Sequence, residues 1–78
     1  MTFGNRLRSA RIAAGVSQAA VGLALVPVKY RSSITRYERG QDEPSLSTIE
    51  QLAAALGVTP CWLAFGCKGE KTYDGISG

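Results

Sequence analysis

The chain has 78 residues, 45% hydrophobic and 19% charged, with a net charge of +3. That length and mix describe one small globular domain and exclude a disordered or fibrous chain. Histidine is absent and there are two cysteines, so the commonest general base is missing and two thiols alone cannot close a zinc site.

Residues 2–14 read as a first helix. Thr2 caps it, Phe3, Leu7, Ala10 and Ala14 recur at helical spacing, and Gly15 closes it. Arg6 and Arg8 fall off this apolar stripe, whereas Arg11 borders it and needs a partner. Ser17 is a good N-cap for a second helix over 18–25. Val21 and Leu25 form its inner edge, with Ala20 and Ala24 filling beside them. Gly22 costs a helix about 1 kcal/mol relative to alanine, which makes sense where another helix must approach closely. Gln18 is exposed in the first turn, beside backbone N–H groups that a phosphate could meet.

Val26 to Tyr30 is a connector. Pro27 disfavours helical backbone at Val26, so the second helix stops there or earlier. The third helix follows over 30–39, or starts sooner with Pro27 at its first position. It carries Arg31, Arg36 and Arg39 behind Lys29, and Gly40 ends it. At about 100° per residue, placing Ile34 inward brings Tyr37 and Glu38 to the same side and leaves Ser32, Arg36 and Arg39 roughly opposite. Such an outer face suits a polyanion, although an ordinary solvated cationic face has the same composition.

After a polar loop over 41–44, Ser45 caps a fourth helix with Leu46, Ile49, Leu52, Ala53 and Leu56 at helical spacing and Gly57 as its stop. Thr59 and Pro60 open a short fifth helix bearing Trp62, Leu63 and Phe65, ended by Gly66. Those large apolar groups complete the core, or in part meet a second subunit. The cysteines, Cys61 and Cys67, read as reduced thiols, with Cys61 packed. The expected organisation is all-α, five short helices over residues 1–66, followed by a Gly-rich polar tail over 67–78. No stretch reaches the ~18 apolar residues of a membrane span, and the first residues lack a signal-peptide pattern. A cytoplasmic protein is expected, with no membrane contact and no cofactor, metal or small-molecule ligand.

Two helices joined by a short connector, the second one basic, read as a helix-turn-helix. The run LRSARIAAGVSQAAVGLAL, followed by SSITRYERGQDEPSLSTIEQLAAALGV, resembles the phage-repressor and Cro-like (XRE-type) helix-turn-helix family over residues 3–66. The resemblance rests on Leu7-Arg8 and Arg11, Ser17-Gln18, Ile34 with Tyr37-Glu38-Arg39-Gly40, Pro44-Ser45 and the run from Leu52 to Gly57. It implies a lambda-repressor-like domain that binds double-stranded DNA as a homodimer and regulates transcription, as a repressor. It also implies roles for single residues. Arg11 pairs with Glu38 beneath the recognition helix, and Gln18 anchors the second helix to the DNA backbone while bracing the third. Arg31, Ser32 and Arg36 look at base edges, where an arginine fork matches guanine O6 and N7, and Thr35 faces a thymine methyl. Lys29, Ser33, Arg39 and Gln41 are placed for phosphates, which hold register without reading sequence. One departure stands out: two extra residues separate Gln18 from Glu38, and Pro27 replaces a common glycine. Arg36 is therefore a better-supported reader than Arg31. A protein-interaction module on the same fold, such as an antitoxin or regulatory subunit, is the second reading. An enzyme is excluded by the lack of any nucleophile motif, phosphate loop or partner acid for Glu38.

Overall fold

The computed structural model describes residues 2–67 and contains five helices in that span: α1 (Phe3–Ala14), α2 (Gln18–Leu23), α3 (Arg31–Glu38), α4 (Leu46–Leu56) and α5 (Pro60–Phe65). The expected tail, apart from Cys67, lies outside the described residues. Four helices begin as the cap chemistry dictates. The hydroxyls of Thr2, Ser17, Ser45 and Thr59 accept from the backbone N–H groups of Asn5, Ala20, Thr48 and Trp62, satisfying donors that have no partner within the helix. The exception is α3, whose N-cap Tyr30 makes no side-chain bond.

Helix α3 ends in a Schellman turn. Gly40 takes φ 76°, its N–H reaches the Tyr37 carbonyl at 3.2 Å, and the Gln41 N–H reaches the Arg36 carbonyl at 2.9 Å. Glycine adopts that left-handed backbone without a Cβ penalty.

The core is drawn from all five helices and the turns beside them. Leu7, Leu25, Ile34, Leu52 and Leu63 are its largest fully buried side chains, each worth about 1.5–3 kcal/mol for leaving water. Around them pack Phe3, Val16, Ile49 and Trp62, each only partly buried. Several expectations change. Helix α2 stops at Leu23, so Leu25 enters the core from the connector, and Ala20 and Ala24 are exposed instead of filling an inner edge. Ala14 and Leu46, each in a terminal turn of its helix, are also exposed. Phe65 is 76% exposed and does not join the core. Gly22 does admit a close approach, but to backbone of the connector: a Cβ there would overlap the Lys29 carbonyl oxygen.

The cysteines are corrected too. Cys61 is exposed, and it is joined to Cys67 by a disulfide. The chain curls back after α5 through Gly66, which brings the two Cα atoms to 5.5 Å, within the span that a disulfide bridges.

The long connector is held down from α4. The Val26 N–H donates to Gln51 Oε1 at 2.7 Å, and Gln51 Nε2 donates to the Val26 carbonyl at 3.1 Å. One amide thus satisfies both polar groups of a backbone unit that belongs to no helix. Gln51→Ala is expected to lower stability by about 1–2 kcal/mol, the net worth of two such bonds. Amide exchange at Val26 should accelerate well beyond the change seen in the core, and equal protection in both proteins would refute the tether.

Candidate nucleic-acid interface

Helix α3 has one side committed to the domain. Ile34 and Tyr37 are buried, and the Glu38 carboxylate, 5% exposed, is held from two directions. Arg11 donates to it through Nε at 2.6 Å and through the second guanidinium arm at 3.3 Å, while its remaining arm donates to the Val16 carbonyl at 3.1 Å. The fork of an arginine matches the two oxygens of a carboxylate, which fixes orientation as well as distance. Gln18, from the first turn of α2, donates through Nε2 to Glu38 Oε1 at 3.1 Å. Its Oε1 accepts from the Thr35 hydroxyl at 2.9 Å, and the same hydroxyl lies 3.1 Å from the Arg31 carbonyl. Three helices are therefore locked together by one polar chain running from Arg11 through Glu38 and Gln18 to Thr35. No buried side-chain polar atom among the described residues lacks a partner.

On the other side, Arg31, Ser32, Arg36 and Arg39 are exposed, and Ser33 is half-buried. The outward face divides in two. Ser32 and Arg36, four residues apart, share one stripe. Arg31 and Thr35 form another, and with Arg39 at the C-cap they border a groove of about 360 Å³ together with Arg8, Gln18 and Glu38. The residues named for base reading are thus not all on one stripe: Arg31 and Thr35 look toward α2, and the Thr35 hydroxyl is occupied by the brace. Arg36 is approached by Asp42 at 3.8 Å, with both side chains more than half exposed. A pair so open to solvent is worth little and yields readily to a better anion. Lys29 is half-buried in the connector, and its backbone N–H donates to the Gly22 carbonyl at 3.0 Å. Gln41 is exposed just beyond the Schellman turn.

Two residues escaped the reading of the sequence. Arg6, 8% exposed, donates through Nε to the Leu63 carbonyl and through a terminal nitrogen to the Ala64 carbonyl, both at 2.9 Å. It satisfies carbonyls at the end of α5, where cations are favoured, and its one signal was its place one residue before the buried Leu7. Gln51 is the other. No group of three or more metal-ligating side chains occurs among the described residues, and no helix there is long and apolar enough to cross a membrane.

Against known proteins, a helix-turn-helix family model matches residues 7–63, which spans α1 to the middle of α5. Among solved structures, the P22 c2 repressor in complex with a synthetic operator superposes with a TM-score of 0.78 at 28% identity, over 86% of this chain and 98% of that one. The solution structure of the DNA-binding domain of the P22 c2 repressor gives 0.73 at 32% identity, over 81% and 80%. The restriction-modification controller protein C.AhdI from Aeromonas hydrophila gives 0.70 at 41% identity, over 78% and 86%. No curated protein sequence matches the chain. With the family model covering most of its length and the cap, brace and outer face in place, the chain belongs to the XRE-type helix-turn-helix family of DNA-binding regulators, the class of the phage repressors and Cro.

Proposed function

We propose that this protein is a sequence-specific regulator of transcription that binds double-stranded DNA as a homodimer and lays α3 in the major groove. The observation that carries the reading is the exposed pair Ser32 and Arg36 on a helix whose opposite side is fixed by the Arg11–Glu38–Gln18 brace. Arg36 is the principal reader, forking onto a guanine, and Ser32 adds a short hydroxyl contact that either base accepts. Gln18 keeps a second Nε2 proton that the brace does not use, free for a backbone phosphate. Ser33, Lys29 and Gln41 supply further backbone contacts at the start and end of the helix. Likeness to a named repressor bound to operator DNA supports repression as the outcome, and a DNA partner fits a cytoplasmic protein.

The homodimer is supported by an apolar surface away from α3. Phe65 and Leu46 are exposed around a cleft of about 250 Å³ that Phe3, Pro44 and Ile49 also line. One recognition helix reads only a few base pairs, so two copies about one helical turn apart supply the affinity that a specific site needs. Selection of bound duplexes from a random pool should return a two-fold symmetric site. Arg36→Ala should relax the preference at one position per half-site, a loss of about 1–3 kcal/mol of discrimination. Retention of the same preference and affinity in Arg36→Ala would favour the other reading of the fold, a module whose main partner is a protein.

A further inference from the structure

We infer that Arg8, Arg31 and Arg39 form a backbone clamp for a phosphodiester segment, and that Arg31 holds phosphate instead of reading a base. The inference rests on the DNA-binding reading above and redistributes the labour within it. The three arginines border the same groove, one from α1, one from the first turn of α3 and one from its C-cap. All three are exposed, and the ion pairs among the described residues are Arg11 with Glu38 and Arg36 with Asp42. The carboxylate in the groove, Glu38, is already matched by Arg11 and Gln18, so it does not cancel the other guanidinium charges. Three like charges around one open polar groove repel one another until an anion arrives.

Gln18 and Thr35, joined by their hydrogen bond, line the same groove, so the Thr35 hydroxyl is already engaged there. A run of phosphates is the duplex feature that suits such a site, because it offers a row of negative charges at fixed spacing. Arg31 stands one helical turn before Thr35 on one stripe of α3, while Ser32 and Arg36 occupy the neighbouring one. The reading edge of α3 is therefore narrower than three guanidinium or hydroxyl positions: it is Ser32 and Arg36.

The experiment measures affinity for a selected duplex and a random duplex across a range of salt concentrations, for wild type, Arg8→Ala, Arg31→Ala, Arg31→Lys and Arg36→Ala. All four substitutions are at exposed positions, and circular dichroism melts verify that each variant is folded. If the clamp exists, Arg8→Ala and Arg31→Ala weaken both duplexes by the same factor. Each lowers the magnitude of the logarithmic salt slope by about 0.9, the signature of one phosphate no longer neutralised. Arg31→Lys keeps slope and preference, because an ammonium serves a phosphate as a point charge, whereas a base contact built on the rigid planar fork of arginine would be weakened by the change. The clamp is overturned if Arg31→Ala and Arg31→Lys relax the preference at one base position, or if Arg8→Ala leaves the slope unchanged, while wild type still prefers the selected duplex. Equal wild-type affinity for both duplexes, with slopes reduced by Arg8→Ala and Arg31→Ala, would sink sequence-specific regulation and support the clamp. Failure of wild type to bind any duplex at low salt would sink both.

Discussion

Glu38→Ala is expected to destabilise the domain by about 3–5 kcal/mol, the usual loss when one partner of a buried ion pair is removed. A small domain holds only about 5–15 kcal/mol in total, so the variant should sit near the edge of folding. The reason lies in what remains. Arg11 keeps its charge in a site where its side chain is only 14% exposed, with one bond to the Val16 carbonyl left, and Gln18 loses the acceptor for Nε2. Removing both charges should hurt less than removing one, because the cost of an unmatched buried charge disappears. Arg11→Met with Glu38→Leu is therefore expected to recover much of the loss. Urea denaturation of the single and double variants decides the matter: additive losses would mean that the two residues act independently.

The second large effect is expected at Gly22. Judged as a helix position alone, Gly22→Ala should gain about 1 kcal/mol. The new methyl, however, would overlap the Lys29 carbonyl oxygen, and that oxygen is part of a backbone pinned on both sides. Lys29 donates back to the Gly22 carbonyl, and Gln51 holds Val26 three residues earlier. A flexible side chain could swing away from the methyl, but this segment must move as a whole. Overpacking costs run to about 3 kcal/mol, which outweighs the propensity gain and leaves a net loss of about 2 kcal/mol. The displacement falls at the entry to α3, so affinity for the selected duplex should drop along with the urea midpoint. An unchanged or raised midpoint would show that the connector yields without cost.

These two positions illustrate what could be read ahead of the structure. Thr2, Ser17, Ser45 and Thr59 announce helix starts because a cap is a contact over three residues, and Gly15, Gly57 and Gly66 announce ends for the same local reason. The Arg11–Glu38 pair came through the family resemblance, and independently an arginine bordering an apolar stripe already demanded a partner. The division of α3 into a buried side and an outward side followed from angular spacing about Ile34. Contacts whose partners are remote in sequence left no local mark. Arg6 serves carbonyls 57 and 58 residues away, and Gln51 reaches back 25. Gly22 signalled a close approach, but spacing cannot say that backbone of the connector, and not a helix, is what comes near. Its size suits Phe65 to the core, yet it lies about 200° round α5 from the buried Leu63 and faces out. Sequence alone favours Arg36 over Arg31 as a reader, but the groove that Arg31 borders depends on the placement of α1 and α2.

The Gln18 amide is engaged at both ends, by Glu38 and by Thr35, before any DNA is present. The orientation of α3 is thus settled in the free protein, and little conformational entropy is left to be lost on docking. In such a preorganised domain, a wrong base cannot be accommodated by re-aiming the helix. If Arg36 reads a base as proposed, a mismatch must be absorbed by its side chain or by deformation of the duplex itself.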